Sequence, residues 1–308
     1  MDASVKAVAV MAVIFAASQL GALALVSSAL GEEYQAFEDP NDPMIPVYYI
    51  IAIVLFTFAI LYIIKKKREN IVKFVFIGAV GFTVFYVMLV VATLFDTGIL
   101  ALLASIGLTA VLLYYLLKKP EWYVVDATGI LMAVGVIGIL GISLNILPVL
   151  ILLIALAAYD AISVYGTKHM VALADGVTEM KLPILLVIPK RKGYSYLNQK
   201  PLKEQLDEGS EREAMFMGLG DVIIPGVLVA SAFYYLSDDL FMGLPGNLVV
   251  ALGALVGGLI GFLVLMRYVL KGNPQAGLPL LNGGTVLGYI AAYLIVFQDL
   301  SLGISLQW

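Results

Sequence analysis

Two carboxylates stand where carboxylates are costly. Asp160, preceded by Tyr159, lies in an apolar run from Leu144 to Val164. Asp221 closes the tetrapeptide Gly218-Leu219-Gly220-Asp221 inside a second run, Ala214 to Leu236. An ionisable side chain surrounded by hydrocarbon is expensive and usually functional. Two carboxylates close together in a low-dielectric site cannot both ionise cheaply, so such a pair holds one proton between them. The ionised member can take a proton from water while the neutral one gives its proton to a substrate oxygen. That is general acid–base catalysis without a metal, a cofactor or a covalent intermediate. The titration would belong to the pair, and neither residue is assigned the proton.

The elements that must bring the pair together follow from hydropathy. Hydrophobic residues make up 62% of the 308-residue chain and charged residues 13%, and the mean hydropathy is +1.00. Soluble domains are nearer 45–50% apolar and about 25% charged, so the chain reads as an all-α, multi-pass integral membrane protein. Spanning helices need roughly 20 apolar residues. Runs of that kind lie near 5–29, 47–64, 71–95, 99–117, 123–141, 144–166, 214–236, 247–269 and 278–297, which predicts nine helices. The tight junction at 141–143 is the least marked boundary. The first run is long for the apolar part of a signal peptide and is expected to be retained.

Basic residues set the expected orientation. With the N-terminus in the cytoplasm and nine helices threaded, all 18 Lys and Arg fall on the cytoplasmic side. The external segments receive Glu32, Glu33, Glu38, Asp39, Asp42, Asp96, Asp238, Asp239 and Asp299, with no basic residue. The C-terminus is then external. The chain divides into helices one to six over 1–166, a cytoplasmic and partly mobile loop over 167–213, and helices seven to nine over 214–308. Placing helix six to end near 166 and helix seven to begin near 214 puts both aspartates about 9–11 Å inside the cytoplasmic boundary, on antiparallel neighbours.

Other features limit the alternatives. There is no cysteine and a single histidine, His169, so thiol catalysis, thiolate metal sites and multi-histidine metal sites are excluded. Nothing resembles a nucleic-acid module. Within the long loop, Leu182 to Pro189 is a short apolar run bounded by prolines, read either as an interfacial patch or as an edge strand able to pair with an extended peptide. Gly253, Gly257 and Gly261 recur at four-residue spacing in the eighth run and predict close helix packing, within the chain or between copies in a homo-oligomer. Pro148 and Pro225 are expected to disturb helices six and seven. Asp126, four residues after Trp122, is expected at the interface, and Asn282 as a helix cap or a partner for freed backbone.

Tyr159-Asp160 on the sixth helix and Gly218-Leu219-Gly220-Asp221 on the seventh resemble the Tyr-Asp and Gly-x-Gly-Asp motifs of the presenilin and signal peptide peptidase intramembrane proteases. The family's Pro-Ala-Leu signature is matched to Pro279-Leu280-Leu281, where the middle residue departs from the pattern. The resemblance implies an aspartic endopeptidase that hydrolyses peptide bonds of single-pass transmembrane helices, with Asp160 and Asp221 catalytic and 279–281 shaping the substrate site. Tyr159, Gly218, Leu219 and Gly220 would support the pair. Compactness implies a microbial homologue in the cell membrane. Charge placement favours presenilin-like orientation, although Gly220 to Gly226 is closer in wording to the peptidase branch. Two further readings stay open: a preflagellin or prepilin peptidase, which also uses a Gly-x-Gly-Asp carboxylate, and a proton-coupled transporter or channel. A scaffold bundle with its aspartates paired for folding is a third.

Overall fold

The computed structural model describes residues 3–28, 31–66, 69–95, 98–167, 184–191, 193–198, 213–271 and 275–304. Among these, nine α-helices follow one another: α1 Ala3–Ser28, α2 Ile45–Lys65, α3 Glu69–Thr93, α4 Ile99–Lys118, α5 Trp122–Ser143, α6 Ile146–Ile162, α7 Leu219–Tyr235, α8 Gly246–Val269 and α9 Leu278–Phe297. Seven are long and apolar enough to cross a membrane; α2, in its described part, and α7 are apolar but shorter. Large apolar side chains such as Phe74, Phe82, Ile99 and Leu287 point outward, as a lipid-facing surface requires. His169 and residues 182–183 lie outside the described residues.

The boundary at 141–143 has a local cause. Asn145 caps α6, its side chain accepting from the Ile146 N–H at 2.7 Å and donating to Asn41 Oδ1 at 2.7 Å. Because α6 begins at Ile146, Pro148 falls in its first turn, where the missing N–H has no intrahelical acceptor to lose. The expected disturbance of helix six by Pro148 is therefore absent. Past Ile162 the helix widens into a π-helical turn, Ser163–Thr167.

The apolar run at 214–236 is two elements. Ala214–Gly218 is a strand, β2, antiparallel to β1, Leu185–Pro189, with Leu185 opposite Gly218 and Pro189 opposite Ala214. Only at Leu219 does α7 begin, and it continues through Pro225 to Tyr235. Hydropathy does not separate a buried strand from the helix that follows it. Leu182–Pro189 thus contains a strand, and its partner is a segment expected to be helical. A second two-stranded ladder, β3 Leu240–Phe241 with β4 Leu244–Pro245, joins α7 to α8.

The core gathers around α1, α5, α7, α8 and α9. Met11 and Phe15 of α1 are fully buried, and the Phe15 ring stacks on Phe262 of α8 at 6.0 Å. The glycine stripe of α8 packs within the chain, against α9. A Cβ on Gly257 would lie 2.2 Å from the Gly284 carbonyl oxygen, and one on Gly261 would lie 2.3 Å from that of Leu280. A separate cluster joins α3, α4 and α5 to the sheet through Val80, Val84, Leu116, Val125, Val187, Tyr196 and Ala214.

Candidate active site

Three helix ends meet at one level. Asp160 is on the last turn and a half of α6, Asp221 is the third residue of α7, and Gly277 caps the N-terminus of α9. Asp160 is only 5% exposed. Its Oδ2 accepts a hydrogen bond from the Leu278 N–H at 3.0 Å, and the Gly277 N–H is a second backbone donor to it. These donors are available because the first N–H groups of a helix have no intrahelical acceptor.

Asp221 comes to the same turn from the other side. A Cβ built on Gly277 would sit 3.2 Å from Asp221 Oδ1 and 3.3 Å from Oδ2. Glycine is what lets the α9 backbone approach this carboxyl so closely. Gly218 does the same on the near side, where a Cβ would stand 3.2 Å from Asp221 Oδ2. The two carboxyls therefore flank one dipeptide, Gly277-Leu278, Asp160 by hydrogen bond and Asp221 across the space a Gly277 side chain would fill, and are electrostatic neighbours.

The remaining residues singled out in the sequence are distributed around this point. Leu219 is buried, and its N–H donates to the Ile184 carbonyl at 2.9 Å. Gly220 is exposed with open space where a Cβ would be. Tyr159 is half-buried, and its carbonyl accepts from the Ser163 N–H. Pro279 lines an apolar groove of about 480 Å³ between α6 and α9, along with Ala157, Ala161 and Asn282. Leu281 is fully buried, and Leu280 packs against the α8 side of the core. The backbone that meets the carboxyls thus lies at Gly277-Leu278, just ahead of Pro279-Leu280-Leu281.

Further residues at the site carried no motif. Tyr165, on the π-helical turn, donates to Gln275 Oε1 at 2.6 Å and accepts from the Ala276 N–H at 3.3 Å, tying the end of α6 to the approach of α9. Asn282 is buried and donates to the Leu153 carbonyl at 2.8 Å, holding the same two helices together further along. Asp126 is covered rather than solvent-facing: it is 5% exposed and its Oδ1 accepts from the Val187 N–H of β1 at 2.7 Å. The proximity of Trp122 pointed outward, but the sheet covers this end of α5. No group of three or more metal-ligating side chains occurs among the described residues.

Comparison with known proteins identifies the family. Residues 11–297 match the family model described as signal-peptide peptidase, presenilin aspartyl protease. The chain belongs to that family. A solved presenilin family intramembrane aspartate protease is 31% identical, covers 94% of this chain and 99% of its own, and superposes with a TM-score of 0.68. The same kind of protease in a second crystal form gives 31% identity and a TM-score of 0.64 over 92% of this chain and 96% of its own. Signal peptide peptidase-like 2A of Mus musculus is 28% identical over 165 residues, 47% of this chain and 27% of the relative. That match spans about a quarter of the curated relative's length. As a member of this family the chain is an integral membrane protein of the aspartyl protease class, and neither the prepilin-peptidase nor the transporter reading is favoured.

Proposed function

We propose that Asp160 and Asp221 are the catalytic pair of an intramembrane endopeptidase acting on single-pass transmembrane helices. The observation that carries this is their convergence on one dipeptide, Gly277-Leu278, from two helices. Sharing one proton, the ionised carboxyl takes a proton from water and the resulting hydroxide adds to the scissile carbonyl carbon. The protonated carboxyl gives its proton to the carbonyl oxygen. Collapse of the tetrahedral adduct then breaks the C–N bond, with a proton passed to the departing amine. No resident metal or cofactor is needed for this balance.

The peptide must be extended before attack, and an extended chain needs a backbone partner. On β1 the outward Val187 N–H is already taken by Asp126. The rungs Lys190 N–H to Glu213 O and Leu219 N–H to Ile184 O fix the parity of the ladder, so Ala214, Phe216 and Gly218 turn their backbone groups away from β1. The Gly218 N–H is turned to the Asp221 carboxyl, so among the described residues the open edge is that of β2 at Ala214 and Phe216, and we assign the substrate strand to that edge rather than to 182–189. The apolar groove beside Pro279 is the route by which a helix reaches the pair from the lipid. Nine spans with a cytoplasmic N-terminus, in the cell membrane, complete the reading. Its support is the segregation of all 18 basic residues.

Purified full-length protein in detergent should cleave a single-pass helical substrate, and Asp160→Ala and Asp221→Ala should each abolish cleavage while leaving the thermal transition in place. Undiminished cleavage by either variant would remove the assignment.

A further inference from the structure

Asp126 is a buried titratable residue for which the reaction above has no use. It sits on α5, opposite the sheet and away from Gly277. Its single described hydrogen bond, to the Val187 N–H, is made at an unusual place. The outer edge of β1 abuts α5, and a helix cannot extend a ladder because its own backbone groups are already paired. One side-chain acceptor supplied from the helix is the remaining way to satisfy an inward-facing strand N–H. Val187 is fully buried, so a lost acceptor would leave that N–H with neither protein nor water.

The same helix holds the chain just beyond β1. Glu121, the residue before α5, accepts from Ser195 Oγ at 2.7 Å and from the Tyr196 N–H at 3.0 Å. Tyr196, 1% exposed, inserts into the cluster formed by α3, α4 and α5. β1 and its continuation are thus fastened by two acceptors, Asp126 on α5 and Glu121 just ahead of it. β2 is fastened to β1, and α7 starts at the residue after β2. A continuous bonded path therefore runs from Asp126 through Val187, the ladder and Gly218 to Asp221.

We propose that Asp126 is a positioning residue of the active site. Its carboxyl oxygen fixes β1 against α5 and thereby sets where the open edge of β2 and the Asp221 carboxyl stand relative to Asp160. What the position requires is an acceptor oxygen at this spot. The inference rests on the catalytic reading above for its consequence, but the anchoring itself can be measured without any turnover.

The test uses the full-length protein in detergent with Asp126→Ala and Asp126→Asn. Amide exchange over 184–191 and 213–219 is measured alongside kcat and KM for a single-pass helical substrate. In Asp126→Ala, exchange over both strands should accelerate about tenfold and kcat should fall by about the same factor, the scale of one buried hydrogen bond to a side chain; exchange in α8 and α9 should not change. Asp126→Asn retains an acceptor oxygen and should restore both quantities to within about twofold, a rescue that loss of general packing would not give. Native exchange in Asp126→Ala would overturn the proposal, as would accelerated exchange with an unchanged kcat. If the alanine variant does not fold, the asparagine variant decides: native exchange with full kcat supports the anchor, and a tenfold loss of kcat overturns it. A wild-type chain that cleaved nothing would sink the proteolytic reading instead, and the exchange pattern would still decide the anchor.

Discussion

Substituting Gly261 with alanine should disable the site from a distance. Gly261 is on α8, and a Cβ there would lie 2.3 Å from the Leu280 carbonyl oxygen, 3.0 Å from its carbon and 3.3 Å from Leu281 Cα. Ordinary van der Waals contact begins at 3.4 Å, so the shortfall is about 1 Å. The obstructing atoms are backbone, so no rotamer change can relieve the clash and α9 must move as a body. Leu280 is two residues from Leu278, whose N–H donates to Asp160 at 3.0 Å. A displacement of about 1 Å takes that bond out of hydrogen-bonding range and shifts Gly277 relative to Asp221. Overpacking of this kind costs about 1–3 kcal/mol of stability, and misplacing reacting groups by about 1 Å costs on the order of a hundredfold in rate. Cleavage of a single-pass substrate in detergent, with a parallel thermal melt, measures both. Gly257→Ala, blocked at 2.2 Å by the Gly284 carbonyl a turn further from the site, should lose similar stability but less rate. Gly107→Ala on α4, which meets nothing within 4 Å, should leave the rate unchanged and raise stability by about 0.5–1 kcal/mol. Wild-type cleavage by a folded Gly261→Ala variant would refute the claim that α9 is held in place by that contact.

Three other outcomes are expected. Because the pair must carry one proton, the pH–rate profile should be bell-shaped, falling as a second proton binds on the acid side and as the shared proton leaves on the alkaline side; a rate flat across the acid range would contradict it. Asn145→Ala removes the cap of α6 and should cost about 1 kcal/mol in thermal unfolding with little change in kcat, since Asp160 is four turns away. The Tyr196 phenol is pushed up to about 12, first by burial and then by nearby Asp126. Its neutral form is favoured in the folded protein, so the stability this contributes is present below the ordinary tyrosine range near 10 and is lost as pH rises through about 12. In an absorbance titration, Tyr196→Phe should remove amplitude from the step near pH 12 and none from the step near pH 10.

Much of the fold was legible because lipid-spanning segments leave a strong one-dimensional signal. All nine apolar runs contain a helix, and most boundaries fall within a few residues of the runs. The signal fails where two elements share one hydropathy. Ala214-Met215-Phe216-Met217 is as apolar as the helix after it, and only pairing with Leu185–Pro189, across a separation no local pattern encodes, makes it a strand. The Asp pair stood out by cost, since a carboxylate deep in such a run is expensive to keep there. Its backbone partners did not, because Gly277 and Leu278 act through N–H groups that every residue but proline has. The cover over Asp126 was not legible for a related reason: distance along the chain from Trp122 says nothing about a sheet that folds over α5.

The strand-to-helix junction at Gly218-Leu219 has no linker. Consecutive residues of α7 are about 100° apart around its axis, so the direction in which Asp221 faces is phase-locked to the pleat of β2. One inserted glycine at this junction would swing the carboxyl by more than a quarter-turn while leaving both elements intact. In such a chain the seat and the blade are a single casting, and adjusting one always re-aims the other.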